Sequence, residues 1–237
     1  MLVLVTVLLA ACATGAMGAV GDSWSAYGAF DTVNPGGGVN AWQYGWYASD
    51  PTSAYTKYTT LWNGTLWGGP ATDIIHGTQE GGDPFGSIHC NFGEAIARPE
   101  WPSGMYWNAY SVTLQTMNAC SPMVRWTAPE DGVYQVDIVL EHNSSAAGVV
   151  TGVQVLLNGS VETAGTISGF QSGPENFLTY NPTLTLSAGD YIEAGIDGPV
   201  RSDWSRVALA FDVTQVPEPV TVALLSLGGL ALIRRRK

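Results

Sequence analysis

Asn158-Gly159 stands between two β-prone runs in the stretch TGVQVLLNGSVETAGTI. This dipeptide is the strongest short-range hairpin signal, because the tight type I′ turn needs a positive φ at both central residues and Asn and Gly tolerate it best. A hairpin there constrains the rest of the second half. Upstream, VRWTAPEDGVYQVDIVLEH reads as a short strand, a turn at 129–132, and an alternating strand in which Tyr134, Val136, Ile138 and Leu140 share one face. Downstream, LTLSAGDYIEAGID repeats the scheme with Ser-Ala-Gly-Asp as the turn, and SRVALAFDVTQ closes on alternating Val207, Leu209, Phe211 and Val213. Short strands at regular spacing, separated by polar turns, predict an all-β fold of β-sandwich type.

The first half differs in texture. Asp22 to Cys120 holds seven of the nine Trp and seventeen of the 25 aromatic residues, in stretches such as NAWQYGWYASD and YTTLWNGTLWGGP. Trp42, Tyr44 and Trp46 fall on one face of an extended segment. The expectation is one or two N-terminal strands joining the same sandwich, with long aromatic loops at one end. No fixed-period repeat and no Pro- or Ser-rich linker splits the chain, so residues 20–215 read as one body.

Charge narrows the partners. Only 12% of residues are charged, and between Val20 and Gln215 five basic residues (Lys57, Arg98, Arg125, Arg201, Arg206) face nineteen acidic ones, a balance of −14. Such a surface repels phosphate backbones and argues against nucleic acid. Residues 1–19 combine an apolar core, Leu2 to Ala11, with small residues after it, the shape of a secretory signal peptide. No Lys or Arg precedes that core, which points to a start further upstream, and Leu9-Ala10-Ala11-Cys12 also matches a lipobox, so cleavage near Gly18 or Ala19 and lipidation of Cys12 both stay open. In an exported chain Cys90 and Cys120 are candidates for one disulfide, with two buried thiols as the alternative.

Residues 216–237 read VPEPVTVALLSLGGLALIRRRK. The apolar run 220–233 is about 21 Å long as a helix, short for a hydrocarbon core of about 30 Å. Arg234, Arg235, Arg236 and Lys237 after it would stay on the cytoplasmic side, leaving the body outward. Val-Pro-Glu-Pro, an apolar stretch with Leu-Gly-Gly-Leu and a terminal Arg cluster, in that order, resemble the PEP-CTERM sorting signal. The resemblance implies export by a bacterium, a membrane helix at 220–233, and recognition of Pro217, Glu218 and Pro219 by an exosortase-type sorting enzyme, with Arg234, Arg235 and Arg236 completing the signal. It also implies an address at the cell surface or in the exopolysaccharide matrix. In the body, the order W-T-A-P-x-x-G-x-Y, V-x-V-L-x-N-G, L-x-L-S-A-G-D-x-I is similar to jelly-roll domains of exported PEP-CTERM proteins, which implies a jelly-roll-like sandwich.

Catalytic motifs are sparse. His76, His89 and His142 show no metal-binding spacing, and no nucleophile elbow or phosphate-cradling loop occurs; no catalytic residue, metal or cofactor is assigned. Glu80, Asp83, Glu94 and Glu100 are the carboxylates a glycosidase could draw on. Glu80 to Asp83 and Asp197 to Asp203 offer hard oxygen ligands for calcium without EF-hand spacing, and ordinary turn chemistry explains both as well. Carbohydrate binding has better physical grounds: sugar rings present apolar C–H faces, which exposed Trp and Tyr rings match with rigid platforms of low entropy cost. Trp42, Trp46, Tyr47, Trp62 and Trp67 are the candidates, and burial in the core is the alternative for each. The reading is an exported, non-catalytic binding module for carbohydrate or matrix, with a purely structural surface protein and a glycoside hydrolase as rivals.

Overall fold

The computed structural model describes residues 22–30, 41–48, 54–64, 72–78, 84–91, 96–98, 105–107, 111–116, 120–143, 149–169, 176–197 and 205–217. Among them the first half forms β1 (Ser23–Ser25), β2 (Trp42–Tyr47), β3 (Thr56–Lys57), β4 (Thr60–Gly64), β5 (Thr72–Thr78), β6 (Pro84–Asn91), β7 (Ile96–Arg98), β8 (Met105–Trp107) and β9 (Ser111–Gln115). The second half forms β10 (Ser121–Thr127), β11 (Gly132–His142), β12 (Val150–Leu157), β13 (Ser160–Ser168), β14 (Phe177–Tyr180), β15 (Thr183–Leu186), β16 (Tyr191–Ile196) and β17 (Arg206–Val216). The chain is all-β across the described residues.

Two antiparallel sheets result. The first runs β14-β11-β17-β9-β6-β5-β4, with β15 also on β11 and β1 also on β17; the second runs β13-β12-β16-β10-β2-β3; β7 and β8 pair alone. Expecting one or two strands from the aromatic half proves too few: β1, β4, β5, β6 and β9 extend the first sheet, and β2 and β3 the second. Short segments broken by Gly and Pro hide strand character when periodicity is the only guide.

Alternation in the second half holds. Tyr134, Val136, Ile138 and Leu140 are fully buried, and β11 pairs with β17 over ten positions from Val133↔Val216 to His142↔Val207. Their inward side chains meet those of the second sheet: Trp42 stands edge-on to Phe211 with centroids 4.8 Å apart, and Trp126 lies 5.1 Å from Tyr134. Each large apolar side chain so buried contributes about 1.5–3 kcal/mol relative to exposure. Asn158 (φ 51) and Gly159 (φ 80) make the expected turn between β12 and β13. The Asn158 amide donates to the Asp190 carboxylate at 3.0 Å, which accepts from the Ser187 N–H at 2.8 Å, tying the hairpin to the Ser-Ala-Gly-Asp corner.

Cys90 and Cys120, the candidates for a disulfide, are both fully buried in this core. Cys90 belongs to the first sheet and Cys120 leads into the second.

β17 runs to Val216, one residue into the segment read as the tail, and Pro217 follows it. Residues 1–21, Glu218, Pro219, the run 220–233 and Arg234, Arg235 and Arg236 lie outside the described residues. Among the described residues no helix is long and apolar enough to cross a membrane.

Candidate functional site

Pleat geometry decides the fate of the aromatic platform. In β2, Trp42, Tyr44 and Trp46 point inward as alternation requires, which leaves Trp42 1% and Trp46 7% exposed. Tyr47 points to the outer side and is still only 3% exposed, because Tyr55, Met123 and Leu156 pack around it. These three residues are therefore not an exposed sugar platform. Trp62 lies on β4, where its backbone pairs with Ile74; Trp67, Glu80, Asp83, Glu94, Glu100 and Asp203 lie outside the described residues. Among the described residues no cluster of three or more His, Cys, Asp or Glu is arranged to hold a metal.

The concave feature with the most suitable chemistry lies at the edge of the sandwich where β1 meets β2. β1 runs antiparallel to the end of β17, with Ser23 beside Thr214, Trp24 beside Val213 and Ser25 beside Asp212. The Ser-Trp-Ser alternation sends Trp24 toward the core, where its ring sits 5.6 Å from Trp126 and 6.0 Å from Tyr134. The same alternation places both serines on the side of Thr214 and the exposed Asp212. The turn after β1 is tied to both sheets, by the Ala26 N–H donating to Phe211 at 2.9 Å and by the Tyr44 hydroxyl donating to Ala26 at 2.6 Å. The result is a cleft of about 520 Å³ lined by Trp24 and Trp42 together with Ser23, Ser25, Thr214 and Asp212. That volume falls within the range typical of small-ligand sites, and an aromatic wall with a few oriented polar groups is their usual make-up. Sequence reasoning did not single out Trp24 or Asp212: Asp212 sits where alternation expects an outward polar residue, and only the pairing of β1 with β17 brings it beside Ser25.

A second constellation occupies the outer face of the second sheet. Arg125 on β10 and Glu193 on β16 are register partners, and the guanidinium donates to the carboxylate through Nε at 3.0 Å and through a terminal nitrogen at 2.9 Å. Glu193 is wholly buried and Arg125 is 18% exposed. The Tyr47 hydroxyl lies 2.9 and 2.8 Å from the two carboxylate oxygens and 3.2 Å from the guanidinium. Rings of Tyr55 and Tyr191 sandwich the guanidinium at 4.0 and 4.1 Å. Burial, then the Glu193 carboxylate, holds the Tyr47 phenol well above its ordinary pKa. For Arg125 burial pulls down, but Glu193 more than offsets it and the net shift is upward. Both carboxylate oxygens and two of the three guanidinium nitrogens find partners, so the arrangement is a lock between strands.

Polar side chains are also buried at the end of the sandwich far from the Asn158-Gly159 turn. His142 holds Nδ1 2.8 Å from the Gly169 carbonyl, which can only accept, so Nδ1 carries the proton; burial lowers its pKa against that hydrogen bond. The Arg206 Nε donates to Gln115 at 3.2 Å, and burial pushes the guanidinium down to about 10.

No protein-family model matches the chain, and no curated protein does. Solved structures do. A family 35 carbohydrate-binding module from Clostridium thermocellum matches at 16% identity over 50% of this chain and 86% of its own, with a TM-score of 0.29. A xylan-binding domain from Paenibacillus barcinonensis matches at 10% identity over 54% and 92%, with a TM-score of 0.33. An adhesin domain of the Lys-gingipain from Porphyromonas gingivalis matches at 11% identity over 62% and 90%, with a TM-score of 0.34. Likeness of this extent carries over no ligand, activity or residue role.

Proposed function

We propose that this chain is an exported, surface-sorted, non-catalytic binding protein for carbohydrate, with a jelly-roll-like body that seats its ligand in the cleft between β1 and β2. The cleft carries the reading: the half-buried Trp24 offers apolar surface for the C–H face of a sugar, while Ser23, Ser25, Thr214 and Asp212 offer hydrogen-bonding groups for its hydroxyls. Asp212 is the one carboxylate among the described lining residues, whereas glycoside hydrolysis ordinarily uses two flanking the bond. Export and sorting rest on the two ends of the chain, with Pro217, Glu218 and Pro219 read by a membrane-embedded exosortase-type enzyme and Arg234, Arg235 and Arg236 holding the tail in place. The exopolysaccharide matrix then supplies the ligand.

The test is a titration of the full chain with a panel of neutral and acidic oligosaccharides, followed by Trp fluorescence and by mobility in polysaccharide gels. At least one glycan should shift both signals, and Trp24→Ala and Asp212→Asn should each weaken it about tenfold, the scale of a lost aromatic contact or charge-assisted hydrogen bond. Unchanged signals across the panel would sink the reading. They would favour the rival that the burial of Trp42, Trp46 and Tyr47 supports, a structural surface protein without a small ligand.

A further inference from the structure

We propose that a second pocket, on the outer side of β2 and β3, takes the carboxylate of a uronic-acid residue, so that the glycan bound is an acidic one; this rests on the carbohydrate reading. The pocket, about 360 Å³, is lined by Gln43, Lys57, Thr127, Ala128 and Pro129 and shares Trp42 with the cleft at β1. Its walls offer one ammonium, one amide and one hydroxyl beside apolar Ala128 and Pro129. That set suits a pyranose ring carrying one negative charge.

Lys57 is the decisive residue. Of the basic side chains described here, Arg125 is neutralised by Glu193 and Arg206 is buried, while Lys57 is exposed and makes no ion pair among the described residues. The backbone that carries it is held on both sides. β3 pairs with β2 at Gly45↔Lys57 and Trp46↔Thr56. On one side of it the Tyr55 ring lies on the Arg125 guanidinium; on the other the Tyr58 N–H donates to Tyr44 at 3.1 Å and the Tyr58 ring is buried. Gly45 permits this, since a Cβ there would strike the Thr56 carbonyl and come within 2.6 Å of the Tyr55 ring. Lys57 is thereby presented beside Gln43 and Thr127 on a backbone held at both flanks.

The body's net charge of −14 opposes an acidic polymer at long range, so selectivity has to come from contact. At physiological salt the screening length is about 8 Å, which damps distant carboxylates more than a cation touching its partner. An exposed pair of this kind gives roughly a two- to five-fold preference.

The experiment compares binding of tetragalacturonate and a neutral galactose tetrasaccharide to the full chain by calorimetry, for the wild type, Lys57→Gln and Lys57→Arg. Expected is a two- to five-fold preference for the acidic ligand that shrinks as salt rises, disappears in Lys57→Gln and survives in Lys57→Arg, with neutral-sugar affinity unchanged. Equal affinity for both ligands in the wild type, or a preference that Lys57→Gln retains, overturns the assignment while leaving the cleft at β1 standing. If neither ligand binds, the assignment fails, and the panel titration above decides whether the carbohydrate reading fails with it.

Discussion

The two faces of the second sheet are built from the same strands and hold by different physics. Inward, Trp42, Tyr44, Trp46, Val124, Trp126, Ile192 and Ala194 form an apolar layer against β11 and β17. Outward, the alternate residues are Gln43, Gly45, Tyr47, Met123, Arg125, Tyr191 and Glu193, a mixed set that nevertheless includes the fully buried Met123 and Glu193. The inner face needs only area and shape. The outer face needs matched partners at fixed positions, because a buried charge without one is costly. Burial therefore says little about why a residue is needed, and each face fails in its own way.

The largest difference should appear when the lock is opened from one side. Arg125→Ala leaves Glu193 buried without its cation and should cost about 3–5 kcal/mol, read as the shift of the urea midpoint at pH 7. Replacing both partners together, Arg125→Met with Glu193→Leu, should return most of that stability, since an apolar pair of similar volume has no charge to desolvate. If Arg125→Ala costs under about 1 kcal/mol, the pair behaves as a surface salt bridge and the contrast between the faces collapses.

That contrast also explains what the sequence made legible. Alternation in 133–140 and 207–213, the Asn158-Gly159 turn and the inward set Trp42, Tyr44 and Trp46 could be read because each depends on neighbours in sequence. Arg125, Glu193, Tyr47, Tyr55 and Tyr191 could not be assembled, because they converge from distant segments through the order β16-β10-β2-β3, which no local pattern encodes. The candidate site shares that fate. Trp24 comes beside Val213, and Ser25 beside Asp212, only through the pairing of β1 with β17, while the conspicuous aromatic density at 42–47 drew attention to rings that the pleat turns inward or that neighbours cover. Aromatic richness in a first half full of short strands signalled core as much as surface.

Tyr47→Phe probes the outer face more gently. It removes a hydroxyl shared between the Glu193 carboxylate and the Arg125 guanidinium, and hydrogen bonds to charged groups contribute about 1.5–3 kcal/mol. It should also change the alkaline limb. The folded pKa of Tyr47 lies above the ordinary phenol value near 10, so the folded state keeps a proton that the unfolded chain releases. Its contribution is complete below about pH 10 and is lost as pH climbs toward the folded pKa. Urea midpoints measured from pH 8 to 11.5 should fall more steeply for the wild type than for Tyr47→Phe. Tyr55 and Tyr58, also raised by burial, keep part of the slope in the variant. Identical limbs for the two proteins would mean that Tyr47 ionises as freely in the fold as outside it.

The smallest effect belongs to the matching substitution on the inner face, Tyr44→Phe. The hydroxyl lost there donates to a neutral carbonyl, that of Ala26, at 2.6 Å, and a neutral hydrogen bond contributes about 0.5–1.5 kcal/mol. The ring would remain in place, edge-on to Phe30 at 5.2 Å, so the aromatic packing that dominates this face should be untouched. Because Ala26 begins the turn that follows β1, the lost bond should be felt locally as faster amide exchange near the Ala26 carbonyl, with little change in the global midpoint. A midpoint loss as large as that of Tyr47→Phe would show that the inner face, too, depends on a specific polar contact, and that the turn beside the β1 cleft is held more by this one bond than by the aromatic layer beneath it.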